Sequence, residues 1–174
     1  MKLLVNKQEC SKYLSVSLFR KEEEFNRFIR EAQMFDLKEL VCEAFYQDLT
    51  SETPVRDYTL LLNGGTYTFE GKKYEFAGLK AVLAYFTYAR YAFTGHYIDT
   101  SMGLKVKENQ DGDTVSQAER RDVRTMYKQQ ADLLWQDCVS YLERNATLFP
   151  EYRCNSGCGD NNRINKPRMR MKLI

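Results

Sequence analysis

The 174-residue sequence has little of what most enzymes and membrane proteins need. Its single histidine, His96, leaves few groups for acid–base catalysis or metal binding near neutral pH. The five cysteines are an odd number at irregular spacing and do not predict a disulfide framework. No apolar run reaches the roughly 18 residues of a membrane-spanning helix. Residues 1–16 lack the apolar stretch and cleavage site of a signal peptide, so we expect a soluble intracellular protein.

Charge is nearly balanced over the whole chain but unevenly distributed along it. The 26 Lys and Arg against 24 Asp and Glu give a net charge of +2, which argues against a polycation that coats nucleic acid. Residues 153–174 contain six basic residues and one acid, so this tail carries +5 and residues 1–152 carry −3. Hydrophobic residues make up 43% of the chain, enough to exclude disorder over its whole length. We therefore expect a mildly acidic folded body with a basic tail.

Hydrophobic spacing predicts a mainly α fold. A stripe with the i, i+3, i+4, i+7 spacing of an amphipathic helix starts near residue 21, and its members are Phe25, Phe28, Ile29 and Ala32. Asp36 and Glu39 form a capping-box pattern, which predicts that a second helix begins there and ends near residue 49. A third helix is predicted over residues 78–93, apolar on most of its circumference.

The longest predicted helix covers residues 116–145 and begins at a second capping box, Ser116 and Glu119. At 1.5 Å per residue it would be roughly 43 Å long. Its predicted inward residues are Val123, Met126, Tyr127, Leu134, Cys138, Tyr141 and Leu142.

Aromatic residues alternate with polar ones on both sides of residues 70–73, which predicts a β-hairpin near 65–77. Residues 94–113 show no strong period and are expected to form a long connection. The predicted architecture is a bundle of about four helices over residues 21–152 with a β-hairpin insertion. Extended N- and C-terminal arms are predicted at residues 1–20 and 153–174.

No residue pattern predicts a cofactor, and two patterns that could predict catalysis or metal binding are weak. Cys154 and Cys158 could begin a zinc site, but a structural site needs four ligands and no partner pair follows them. Glu22, Glu23 and Glu24 fit the first turn of a helix, where acids interact favourably with the helix dipole. We therefore expect no metal, no cofactor and no enzymatic activity, although a small enzyme that uses carboxylates remains an alternative.

The basic tail contains the candidate partner-binding residues. It could bind phosphates through counterion release, remain a solvated end, or add as a strand to an acidic neighbour. Alternation between basic and apolar residues near the C-terminus favours the added strand. The candidate residues are Arg163, Lys166, Arg168, Met169, Arg170, Met171 and Lys172.

Several short motifs follow one another between about residues 20 and 152. They are FIREAQ (28–33), DLK (36–38), LLNGGxY (61–67), GLK (78–80), AYxxYAR (84–90), TxxGLxV (100–106), YLxxN (141–145) and FPxY (149–152). Their order and spacing resemble the head–tail connector (adaptor, ring or neck) proteins of tailed bacteriophages, most closely those of crAss-like and Bacteroidetes phages and prophages. The basic tail is not part of this resemblance.

The resemblance implies a structural virion protein that is made in the host cytoplasm and incorporated into the neck of the particle. It implies a dodecameric ring beneath the portal protein, contacts with further neck or tail proteins, and passage of genomic DNA without sequence readout. No membrane is involved. The alternative from a different class is a cytosolic nucleic-acid-binding accessory protein that uses the basic tail.

Overall fold

The computed structural model describes residues 2–16, 21–95, 97–101, 103–106 and 115–153. The helices are α1 (Lys7–Cys10), α2 (Glu22–Glu31), α3 (Lys38–Leu40), α4 (Glu43–Leu49), α5 (Thr59–Asn63), α6 (Leu79–Thr94) and α7 (Gln117–Arg144), with a π-helical segment at Ala32–Leu37 and a 3₁₀ turn at Pro150–Arg153. The strands are β1 (Gly65–Phe69), β2 (Lys72–Phe76), β3 (Tyr97–Thr100) and β4 (Gly103–Val106). The predicted mainly α fold with a β-hairpin is confirmed.

Helix α6 is the central element of the body. Half of its residues are buried and most of the others are partly buried, as its apolar circumference predicted. It packs against α2, where Tyr91 contacts Phe25 with ring centroids 5.7 Å apart. It also packs against α7, where Tyr88 contacts Tyr127 at 4.6 Å. Helix α6 therefore contacts both α2 and α7.

The predicted capping box at Asp36 is wrong. Asp36 lies inside the π-helical segment, and its carboxylate accepts a hydrogen bond from Arg90 Nε at 2.6 Å. This partner from α6 makes the side chain unavailable as a helix cap. The chain instead breaks at Val41, which has an extended backbone, and α4 begins two residues later.

The N-terminal segment folds onto the body, unlike the extended arm that the sequence suggested. Leu4 and Val5 are buried, because two adjacent apolar side chains gain more from the core than from solvent. The fully buried Gln33 holds this segment in place: its Oε1 accepts from the Leu4 N–H at 3.0 Å, and its Nε2 donates to the Lys2 carbonyl at 2.8 Å. Residues 17–20 lie outside the described part of the chain.

Replacing Gln33 by leucine should lower the free energy of unfolding by about 1–3 kcal/mol, because the buried Leu4 N–H would lose its partner. Chemical denaturation monitored by circular dichroism measures this. Gln47→Leu is the matched control, since the Gln47 side chain is exposed and bonds only to Glu43 on the surface. It should change the stability by less than about 0.5 kcal/mol. Equal losses in both variants would contradict the role of Gln33.

The predicted hairpin is confirmed, and it lies on the C-terminal end of α7. Tyr67 pairs with Tyr74 across a two-residue turn at Glu70 and Gly71, both with positive φ. The Arg144 guanidinium carbon lies 3.8 Å from the Tyr74 ring centroid, and Nη1 donates to the Tyr67 hydroxyl at 2.7 Å. These contacts supply the support that an isolated hairpin lacks in water.

A second hairpin, β3–β4, lies within the region predicted to be a long connection. Thr100 pairs with Gly103, whose φ of 102° suits the tight turn. Four-residue strands are too short for a sequence period to reveal them.

Helix α7 begins and ends within one residue of the prediction, and its capping box is present. Cys138, Tyr141 and Leu142 are buried as predicted, but Met126 is exposed. The neighbouring Tyr127 packs against Tyr85 and Tyr88 of α6, and this contact turns Met126 toward solvent.

Candidate interaction surfaces

The candidate partner-binding residues Arg163, Lys166, Arg168, Met169, Arg170, Met171 and Lys172 all lie outside the described residues, so the structure does not bring them together with any other element. The same holds for His96, Cys154 and Cys158. Within the described ranges, no group of three or more His, Cys, Asp or Glu is placed to hold a metal ion. None of the helices in those ranges is long and apolar enough to cross a membrane.

The cysteine thiols of the body are structural. Burial raises the pKa of Cys10 and of Cys138 to about 12, and a neighbouring acid adds to each shift. The thiolate is the nucleophilic form, so these two groups are almost entirely protonated near neutral pH. Cys42 is also buried, and its Sγ donates to the Glu151 carbonyl. These thiols therefore stabilise the core and offer no reactive group.

One exposed surface lies along the outward side of α7. We call it the Leu133 face, and its members are Glu119, Asp122, Met126, Gln129, Leu133 and Asp137. Leu133 is 63% exposed and Met126 is 43% exposed, seven residues apart and therefore on the same side of the helix. The remaining members are polar or acidic. This face thus combines large apolar side chains with negative charge.

The negative charge at the start of the Leu133 face is held in place by the capping box. Ser116 bonds to Glu119, and these hydrogen bonds lower the pKa of the Glu119 carboxyl. Arg124 belongs to the opposite flank, since its guanidinium lies over the Phe93 ring of α6 at 4.8 Å. No Lys or Arg belongs to the Leu133 face.

A second exposed surface lies on the outward side of α2 and the π-helical segment. We call it the Phe35 face, and its members are Arg27, Arg30, Met34, Phe35 and Lys38. Phe35 is 55% exposed and Met34 is 44% exposed. Single π turns in helices are frequent at functional positions because the extra residue alters which side chains face outward. Here the π segment places two large apolar residues in solvent among charged residues of both signs, since Arg27 forms an ion pair with Glu31 at 3.5 Å.

The Phe35 face borders an open groove lined by Tyr46, Gln47, Thr50, Ser51 and the acidic Glu52. Lys38 lies above the Tyr46 ring at 5.7 Å and forms an ion pair with Glu43 at 2.9 Å. That ion pair is largely exposed, so it adds little stability. Lys38 can therefore leave Glu43 and bind another acid. Beneath the face, Asp36 is already neutralised by Arg90. The face therefore combines exposed apolar side chains with ion pairs, Arg27 with Glu31 and Lys38 with Glu43.

Sequence reasoning missed both surfaces. It placed Met126 in the core and did not single out Leu133, Met34 or Phe35. A partial signal was available, because Met126 and Leu133 form a second apolar line on a helix side that is otherwise polar. No comparable signal existed for Phe35, since its exposure depends on the π turn.

Comparison with known proteins gives one match. Residues 37–162 match a family that is described as a family of unknown function, DUF6712. This range includes α7 and the hairpins but leaves out α1 and α2. No curated protein and no solved structure matches the chain.

Proposed function

The chain belongs to this family of unknown function, and we propose that it is a structural virion protein, a head-to-tail connector of a tailed bacteriophage. In this role it forms a dodecameric ring beneath the portal and joins the capsid to the tail. It acts by binding other proteins and catalyses no reaction. It is made in the host cytoplasm and resides in the neck of the particle.

The observation that carries this proposal is the presence of two separate exposed apolar surfaces on a small helical body. Monomeric proteins normally expose large apolar side chains singly, whereas clusters mark sites of protein contact. The Leu133 face and the Phe35 face each expose two such side chains, and they belong to different helical segments of the chain. A connector needs more than one contact surface, because it binds copies of itself and the portal at the same time.

The charge distribution is compatible with a DNA passage. A ring around genomic DNA must let the phosphates slide, so its wall should not carry a continuous basic surface. Residues 1–152 have a net charge of −3, and the basic excess is confined to the tail. The protein would then enclose DNA without sequence readout.

The experiment is reconstitution of the full-length chain with the portal protein of the same phage. The chain alone should sediment as a weakly associating monomer, and addition of portal should produce rings or a docked complex visible by electron microscopy. Leu133→Ser should weaken this docking. Val55→Ser is the control, because Val55 is 89% exposed outside both faces. A chain that is inert toward portal and absent from assembled particles would overturn the proposal.

The second candidate, a nucleic-acid-binding accessory protein, is favoured by the tail alone, with its six basic residues and one acid. It predicts salt-dependent DNA binding by the isolated protein that disappears when residues 163–174 are deleted. Binding that is insensitive to this deletion would exclude the candidate.

A further inference from the structure

We propose that residues 163–174 of the same chain bind along the Leu133 face and cover it in the isolated protein. The face belongs entirely to the described residues, and the segment lies outside them. The contact itself does not depend on the proposed function. Only its effect on portal docking rests on that function.

The first argument is charge complementarity. The Leu133 face carries the acids Glu119, Asp122 and Asp137 and contains no Lys or Arg. Among the described residues, no basic side chain forms an ion pair with Asp122 or Asp137, so both carboxylates are open to a cation. Residues 163–174 carry five basic residues and no acid. The segment and the face therefore attract each other.

The second argument is the match of apolar side chains. Leu133 and Met126 are exposed on the face, about 10 Å apart along the helix. An apolar centre with opposite charges around it is the usual composition of a specific protein interface. The segment supplies apolar side chains between its basic ones, and they are Ile164, Met169, Met171, Leu173 and Ile174.

The Phe35 face suits this segment less well, although it also exposes apolar side chains. Arg27 pairs there with Glu31 and Lys38 pairs with Glu43, so these acids already have basic partners. A strongly basic segment would have to compete with those partners. The Leu133 face is therefore the better site for it.

The third argument concerns where the described chain ends. It ends at Arg153, and Phe149 holds this end beside the C-terminal part of α7, with its ring centroid 6.0 Å from that of Tyr141. Tyr141 lies one helical turn from Asp137, the nearest member of the Leu133 face. The chain therefore leaves the body close to one end of the face.

The length of the remaining chain is sufficient for the contact. An extended chain between residues 153 and 163 can span about 33 Å, several times the distance along one helical turn. Residues 163–174 can span about 36 Å when extended. The face is shorter, about 27 Å from Asp137 to Glu119. The segment can therefore reach the face of its own chain and follow its whole length.

Binding within one chain is favoured over binding between copies because the segment is tethered. A short tether holds a segment near its site at an effective concentration in the millimolar range, above that of a second copy in dilute solution. The covered face cannot bind another protein until the segment leaves. In the proposed function, portal therefore displaces the segment when it docks on the Leu133 face.

Carbodiimide crosslinking of the full-length protein tests the contact. This zero-length reagent joins a lysine amine to a carboxylate when the two groups touch. Lys166 and Lys172 of the segment should crosslink to Asp122 and Asp137 of the face, and mass spectrometry of the digested monomer band identifies the joined peptides. Their yield should be at least about tenfold above that for Glu70 and Glu75, which are exposed acids of the hairpin.

Isotope labelling shows whether the contact forms within one chain. In an equimolar mixture of unlabelled and heavy-isotope-labelled protein, the two joined peptides should carry the same label. Peptides that combine both labels would assign the segment to another copy and would overturn the inference.

Charge exchange supplies the second test. Arg168→Glu with Arg170→Glu should lower the yield of these crosslinks at least about tenfold, because like charges would face each other. Adding Asp122→Lys and Asp137→Lys to that variant should restore crosslinking, with the amine now on the face and the carboxylate on the segment. Thermal unfolding of each variant checks that the fold is retained.

Lys72→Glu with Lys73→Glu is the matched control for the segment variant. Both lysines are exposed on the hairpin, and the pair makes the same change in net charge. The crosslinks between the segment and the face should be unchanged in this control. An equal loss in the control and the segment variant would show that net charge alone controls the yield, and would contradict the contact.

The inference would also be overturned by crosslinks no stronger than those of the hairpin acids, or by an exchanged variant that does not recover them. These measurements use the isolated chain, so they can fail while portal docking holds. When portal is added, the segment variant should dock severalfold more tightly than the wild-type chain. Equal docking would contradict displacement of the segment by portal. Intact crosslinks in a chain that never docks on portal would contradict the proposed function alone.

Discussion

Replacing Phe45 by alanine should lower the free energy of unfolding by about 3–5 kcal/mol. Phe45 is fully buried in α4, and its ring contacts Tyr58, Phe149 and Tyr152 at centroid distances between 5.4 and 6.3 Å. Truncation removes the buried ring and leaves a cavity, because its neighbours are held by other contacts and can only partly collapse into it. Chemical denaturation followed by far-ultraviolet circular dichroism measures the loss, which is a large share of the stability of an ordinary domain.

The neighbours of Phe45 are fixed by polar bonds at the edge of the same cluster. Arg56 binds both carboxylate oxygens of Glu151, at 2.7 and 2.5 Å, next to Tyr152. The Tyr58 hydroxyl donates to Asp48 at 2.7 Å, and burial together with this bond to a carboxylate raises the pKa of Tyr58. Since these bonds hold the surrounding rings, the cavity left by Phe45→Ala should persist.

The matched control is Phe35→Ala. The same side chain is removed from a position that is mostly exposed, so the stability should change by less than about 1 kcal/mol. The two variants thus separate a phenylalanine that holds the fold from one that is available to a partner. Similar losses at both positions would contradict the burial that distinguishes them.

The elements that the sequence predicts best are those whose signals are local and strong. The stripe of Phe25, Phe28 and Ile29 is fully buried, as its spacing predicted. The Ser116 capping box starts α7 because a short polar side chain there meets free N–H groups and no competing partner. The two-residue hairpin turn follows from Gly71 and its neighbour.

The elements that the sequence predicts poorly are those whose side chains or backbone bond to residues far away in the chain. Asp36 has the right spacing for a cap but bonds to Arg90, 54 residues later. The N-terminal segment looks extended in isolation, yet the side chain of Gln33 fixes its backbone. A pattern within a short window contains no information about either contact.

The candidate surfaces also combine features that local sequence predicts with features that depend on distant contacts. Their charges can be read from the sequence, but the exposure of Phe35 depends on a π turn and that of Met126 on the packing of Tyr127. Prediction from the sequence places an apolar helix residue in the core unless its spacing shows otherwise. Only the packed structure shows which apolar residues remain outside it and are therefore free to bind another chain.

Gly78→Ala should destabilise the protein by about 3 kcal/mol or more. Gly78 has a φ of 82°, and a Cβ built on it would lie 2.6 Å from the Asn63 carbonyl carbon and closer still to the Gly64 nitrogen. These are backbone atoms at the base of the hairpin and cannot move as a flexible side chain would. The overlap can be removed only if the two ends of the hairpin separate. This separation also shifts the start of α6. Thermal and chemical denaturation measure the effect.

Gly71→Ala is the control that isolates the close approach. Gly71 also has a positive φ, 75°, but a Cβ there would meet nothing within 4 Å. Its substitution should therefore cost only the backbone strain of an L-residue in the left-handed region, about 1–2 kcal/mol. The difference between the two variants is the cost of the overlap between the added Cβ at residue 78 and the backbone of Asn63 and Gly64. If both variants lose the same stability, that contact does not constrain the hairpin, and the position of the hairpin on α7 would depend on Arg144 and the stacked tyrosines alone.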